Sequence, residues 1–164
     1  MLASPIRRLT TLATALIAVL ALAGPALSSA QVTQGAFAPL TDGDFGVTGH
    51  AKMVRTADGR TKISVQVAGL EPGSVYGSHV HNQACDDGRG GGHYQHEVGG
   101  ATTPPNELWP SSDPQDPEAV LIANASGKAN GHGTAPWTAR EEARSVVIHQ
   151  TGNPAVRIAC ADLT

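Results

Sequence analysis

Residues 61–67 read Thr-Lys-Ile-Ser-Val-Gln-Val, an unbroken alternation that puts Ile63, Val65 and Val67 on one side and Lys62, Ser64 and Gln66 on the other. Only an extended chain turns successive side chains to opposite faces, so this run commits one face to a core and the other to water. A second apolar-rich run covers 47–55, and the connection between the two, Ala57-Asp58-Gly59-Arg60, carries the Asp-Gly pair that favours a tight hairpin. Similar short patterns recur at 75–83, 119–125, 130–138, 145–151 and 155–162, with a less regular one at 32–40, and Ser126-Gly127-Lys128 supplies another hairpin turn. No long segment of helical period competes with them. Eight short strands separated by turns predict an all-β fold, a two-sheet sandwich or flattened barrel.

The first 30 residues do not fit that pattern. Arg7 and Arg8 precede an Ala/Leu-rich stretch at 12–23, and Ser28-Ser29-Ala30 offers small residues for cleavage, the layout of an export signal. The apolar stretch is short for a bilayer span and no stop-transfer pattern follows it. We expect residues 1–30 to be a signal peptide and 31–164 a single domain, exported to the periplasm or the cell exterior, with no membrane attachment after cleavage. The adjacent arginines leave the export route open.

A formal net charge of -3 gives no basic patch for nucleic acid. The two cysteines, Cys85 and Cys160, both fall in the exported part, where an oxidising compartment preserves disulfides, and we read them as a pair. Between 85 and 117 the sequence is crowded with glycine and proline, so neither strand nor helix can run through it. A loop of that length in a compact domain is usually functional or disordered. Histidines gather in its first half, which favours function.

His79-Val80-His81 sits on an expected strand, where both imidazoles leave one face and Val80 the other. Alone, His-x-His is a weak signal, more often two surface residues than half of a site for copper or zinc. In Ser145-Val146-Val147-Ile148-His149 the same alternation sends Val146 and Ile148 inward and His149 outward, and His93 can approach from the glycine-rich loop.

Gly77-Ser78-His79-Val80-His81, Gly92-His93-Tyr94, Val146-Val147-Ile148-His149 and Gly152-Asn153-Pro154-Ala155-Val156-Arg157-Ile158-Ala159-Cys160, in that order, resemble the successive signatures of the copper/zinc superoxide dismutases. The resemblance implies an eight-stranded Greek-key β-barrel that converts the superoxide anion to oxygen and hydrogen peroxide. It implies copper held by His79, His81 and His149, with His93 at the position of the histidine that bridges copper and zinc. It makes His93 the proton donor and Arg157 the residue that docks the substrate anion, and it pairs Cys85 with Cys160.

Two departures from that family stand out. Its further zinc-binding histidines fall here at Ala101 and Pro110, and only Asp113 matches its aspartate, so zinc binding is in doubt. His96, three residues past His93, is open as a zinc ligand beside Asp113, as a residue near the metal, or as a solvent-facing side chain. The segment 150–156 is also too short to be the long charged loop that guides substrate in those enzymes. Both departures resemble the copper-only branch of the family. There a carboxylate takes over the task of holding the would-be bridging histidine, and Glu107, further along the same loop, is the candidate; a solvated glutamate is the other reading. Three function classes follow: a copper-dependent dismutase, an exported copper-binding or structural barrel with little turnover, and a zinc hydrolase. The last is the weakest, because no general base accompanies the histidines.

Overall fold

The computed structural model describes residues 29–40, 46–113, 115–116, 120–150 and 152–164. The expected signal peptide up to residue 28 and the start of the strand expected at 119–125 lie outside the described residues. Among the described residues no helix is long and apolar enough to cross a membrane. The described residues form nine strands: β1 (Gln31–Ala36), β2 (Ala38–Pro39), β3 (Thr48–Arg55), β4 (Thr61–Ala68), β5 (Val75–His81), β6 (Leu121–Ile122), β7 (Ala129–Ala135), β8 (Ser145–Gln150) and β9 (Asn153–Asp162). A single 3-10 turn at Gly88–Gly90 is the one helical element among the described residues.

Two antiparallel sheets face each other, in the orders β1-β3-β4-β7 and β2-β9-β8-β5-β6. Beyond β3 the chain passes between sheets after β4, after β6 and after β7, so β7 returns beside β4 and β8 beside β5, the crossing order of a Greek key. Period-2 burial makes the core: Thr61, Ile63, Val65 and Val67 of β4 are buried while Lys62 and Gln66 are exposed. They pack with Ala51, Met53, Val80, Val146, Ile148 and Ile158 from neighbouring and facing strands. The Asp58-Gly59 hairpin forms as expected, with Thr56 N–H donating to Arg60 O at 2.8 Å and Gly59 in the left-handed region at φ +83°.

The strand expected at 32–40 is split. β1 pairs with β3, but β2 pairs with β9 in the other sheet, with Ala38 opposite Cys160. The bend falls at Phe37, whose side chain is buried and whose N–H donates to Gly49 O at 2.9 Å. One run of chain thereby closes one seam of the barrel. The strand expected at 119–125 reduces, among the described residues, to Leu121–Ile122. Asn124 ends it, because its Oδ1 accepts from the Ser126 and Lys128 backbone N–H groups and turns the chain early. The run expected at 75–83 stops at His81, since the N–H groups of Asn82 and Gln83 donate to Gly92 O and Gly90 O of the loop.

The second seam is closed by residues 108–111. Val80 N–H of β5 donates to Leu108 O at 3.0 Å, and Ser111 exchanges both backbone hydrogen bonds with His132 of β7, at 3.0 and 2.7 Å. This strap lies so close to β7 that a Cβ on Gly133 would come within 2.7 Å of Trp109 O. Glycine is required there by contact, not by conformation.

Candidate metal centre

β5 and β8 lie side by side with Gly77 opposite His149 and His81 opposite Ser145. That register brings His79, His81 and His149 together on the outer face of the five-stranded sheet. The sequence reading that His149 faces outward is right in direction but not in environment. His81, His149 and His79 are 0 %, 3 % and 9 % exposed, because the loop after β5 folds back over them. Tyr94 N–H donates to Val80 O at 2.8 Å and Asn82 N–H to Gly92 O at 3.0 Å, so residues 92–94 run as an extra rung along β5 and His93 bridges His81. Gly90 sits flat on β8: a Cβ there would meet Val147 Cγ2 at 2.8 Å.

The loop is anchored to β9 of the same sheet. Cys85 and Cys160 form a disulfide across 75 residues of sequence, with Cα atoms 5.8 Å apart, and Cys85 N–H also donates to Asp162 Oδ1 at 2.8 Å. No free cysteine remains. A disulfide persists in an oxidising compartment, in keeping with an exported location.

One ring nitrogen from each of His79, His81, His93 and His149 lies within 4.8 Å of the others. The outward nitrogens fix which ones those are. His81 Nδ1 donates to Gly91 O at 3.2 Å and His149 Nδ1 to Pro154 O at 2.6 Å. A carbonyl oxygen only accepts, so both Nε2 atoms keep bare lone pairs, and these face each other at 3.2 Å. His79 Nδ1 is buried with no hydrogen-bond partner. Two lone pairs pointed at each other beside an orphaned buried nitrogen are unfavourable unless a cation lies between them. The donor set therefore fits a metal ion that accepts imidazole nitrogen.

Burial, reinforced by the neighbouring histidines, pushes the pKa of His79 down to about 2 and of His81 to about 3. His149 is lowered to about 4, again mainly by burial. All three are neutral, hence ready as ligands, across the physiological range. Arg157 contributes a smaller share, its positive charge disfavouring protonation of His81 and His149. The Arg157 guanidinium is half-buried and donates to Gly88 O and Arg89 O at 3.3 and 2.9 Å. It thus stands beside the histidines on β9, next to His149 in register.

Glu107 lies beside His93, with Oε2 2.7 Å from His93 Nδ1, and is only 2 % exposed. The same oxygen accepts from Trp109 Nε1 at 2.9 Å, and Oε1 accepts from Gln95 Nε2 at 3.3 Å. A buried carboxylate that accepts three donors is fixed in place and sets its partner's tautomer. His93 thus carries its proton on Nδ1 and turns Nε2 to the cluster. Sequence reasoning missed Trp109 and Gln95. Trp109 follows Glu107 by two positions, and in extended backbone such residues share a side, the one signal that could have found it.

The candidate zinc ligands do not join this group. His96 stacks on Trp137, with ring centroids 4.4 Å apart and planes at 3°. Asp113 is exposed and its carboxylate accepts from Gln115 N–H at 2.9 Å. Ala101 O is tied to Asn106 Nδ2 at 2.8 Å. At His93 Nδ1, where a second metal would bind, the Glu107 carboxylate stands instead. The residues present do not fit a zinc site beside His93.

No protein-family model and no curated protein matches the chain. Among solved structures it is similar to a double mutant of a SOD-like protein from Bacillus subtilis, with a TM-score of 0.53 and 20% identity over 79% of this chain and 95% of that one. A single mutant of a SOD-like protein from Bacillus subtilis matches with a TM-score of 0.54 and 18% identity over 79% and 96% of the two chains. The architecture is a sandwich of the superoxide dismutase type.

Proposed function

We propose that this protein is an exported, copper-dependent superoxide dismutase that works without zinc. The observation that carries the reading is the hydrogen bond between His93 and Glu107 at the edge of four converging imidazoles. It supports both halves of the proposal: a nitrogen-rich site suited to copper, and a carboxylate in the role that zinc plays in the copper/zinc enzymes.

His79 through Nδ1, and His81 and His149 through Nε2, would hold the copper, and His93 offers Nε2 to the same cluster. Copper bound there supplies a one-electron couple, able to take an electron from one superoxide and return it to a second. The chain's own residues do the rest. Arg157 presents a guanidinium that does not lose its charge at working pH, and its bonds to Gly88 O and Arg89 O hold it in place to dock the anion. His93 Nε2 is the atom that can take a proton from solvent and pass it to the reduced oxygen species, since its side chain is 33% exposed. Glu107 accepts from the opposite nitrogen, so the proton that is passed on is carried at Nε2. Gln150 of β8 pairs with Asn153 of β9, and the two residues between them are too few to build a long arm over this side.

A copper-storing barrel with little turnover would use the same four imidazoles. Arg157 favours turnover, because storage has no use for an anion-docking charge beside the metal. Elemental analysis and a dismutase assay on the processed protein test the proposal together. Expected are one copper per chain, no zinc, activity lost on chelation and restored by copper alone. Arg157→Ala should keep its copper and lose turnover about ten-fold or more at low ionic strength. Copper-loaded protein without activity, or activity that requires zinc, overturns it.

A further inference from the structure

We infer that Trp109 is a positioning residue of this centre: it packs on the His79 imidazole, and it shares the Glu107 carboxylate that holds His93. The inference deepens the proposed function and rests on it.

The four side chains close a circuit. The Trp109 and His79 rings meet edge-on with centroids 4.8 Å apart, and the His79 and His93 rings lie 4.0 Å apart, the shortest separation of any two imidazoles in the cluster. His93 Nδ1 is 2.7 Å from Glu107 Oε2, and Trp109 Nε1 returns to that same oxygen at 2.9 Å. His79 belongs to β5, whereas His93 reaches the centre from a loop. Apart from the backbone rung at His81, the circuit through Trp109 is what sets the angle between them. The other tryptophan provides a contrast. Trp137 stacks on His96 and donates to Pro105 O at 2.8 Å, contacts that order the loop and touch none of the four histidines of the cluster.

Rigidity comes from the strap. Trp109 is flanked by Leu108, whose carbonyl is bound by Val80 of β5, and by a stretch ending at Ser111, which is doubly bonded to His132 of β7. Gly133 allows the Trp109 carbonyl to rest directly on β7. The backbone that carries the indole is therefore fixed to both sheets, a better support than a free loop. Of the two hydrogen bonds to Glu107 Oε2, the one from Trp109 leaves that oxygen a single remaining direction for His93.

The test uses the metal-free full chain, labelled with nitrogen-15. In the parent protein the His93 Nδ1–H should appear as a protected, downfield proton. Trp109→Phe keeps a ring against His79 and removes the donor; exchange of the His93 Nδ1–H should rise about ten-fold, the size of one charge-assisted hydrogen bond. In the copper-loaded variant, the EPR signature should shift and turnover should fall about ten-fold at unchanged copper content. No protected Nδ1–H in the parent, or an unchanged exchange rate in a folded Trp109→Phe, overturns the inference. If that variant does not fold, Glu107→Gln is read at Trp109 itself, whose indole N–H should move upfield; an unmoved resonance overturns it as well. The exchange measurement needs no metal. A centre that is inactive with copper thus defeats the dismutase reading alone, and a failed exchange test defeats the Trp109 inference alone.

Discussion

The two sheets are made of the same kind of strand, yet their outer faces have different fates. On the four-stranded sheet, Lys62 and Gln66 of β4 and Asn130, His132 and Thr134 of β7 stand exposed in water. On the five-stranded sheet, β8 is buried on both faces from Ser145 to His149, and β5 from Ser78 to His81. His132 and His149 both occupy outward positions on strands. One is a solvated side chain and the other belongs to a cluster of dry imidazoles. Strand geometry sets where a side chain points; the loop laid over it decides what it meets.

The comparison is sharpened most by acid. Burial holds His79, His81 and His149 at about 2, 3 and 4, below the ordinary 6.5. Between those values and 6.5 the unfolded chain binds protons that the folded chain refuses, so stability is full above pH 6.5 and is lost as pH falls. With three such groups the slope approaches about 4 kcal/mol per pH unit near pH 5. Metal-free protein should unfold well above pH 4 in a denaturant or thermal series against pH. A flat stability profile from pH 7 to 4 would mean that the covered face is wet.

Next in size is the disulfide. Replacing Cys85 and Cys160 by serine should cost roughly 4 kcal/mol, the chain-entropy value for a loop of this length. The covered face should loosen while the four-stranded sheet stays protected, a contrast that amide hydrogen exchange can read. Uniform loss of protection in both sheets would show that the cover and the barrel form one unit.

Removing Glu107 acts more locally. Glu107→Ala leaves His93, Trp109 and Gln95 without their acceptor and should cost about 2 kcal/mol. Turnover should drop much further than copper content; equal losses would mean that the carboxylate serves only to retain the metal. The smallest effects belong to the open sheet. His132→Gln should change stability by less than about 0.5 kcal/mol, whereas His149→Gln should weaken metal binding by at least about 100-fold. Isothermal titration with copper separates the two.

The strand histidines could be read in advance because period-2 alternation is a local property, visible in 79–81 and 145–149 alone. The Cys85–Cys160 pair needed only composition and compartment. Glu107 is singled out only through the family resemblance and its place on the loop of His93; its carboxylate lies 2.7 Å from His93 Nδ1. Contacts that depend on how distant segments cross were beyond reach. The bend at Phe37 answers to Gly49 in another strand, and the early end of β6 answers to the side chain of Asn124. The indole of Trp109 finds its place only because the strap joins two sheets. His96 and Asp113 show the converse: neither the nearness of His96 to His93 in sequence nor the family resemblance at Asp113 brought the residue to the cluster.

Residues 108–111 act mechanically as a clasp, because they are fastened to β5 on one side and to β7 on the other. Glu107 adjoins that clasp and Trp109 is part of it. Any breathing that parts the sheets along this seam pulls the carboxylate and the indole away from His93 and His79 before a single strand has come undone. On heating, misalignment at the histidines should therefore precede the loss of β structure, so that chemistry fails at a lower temperature than the barrel does.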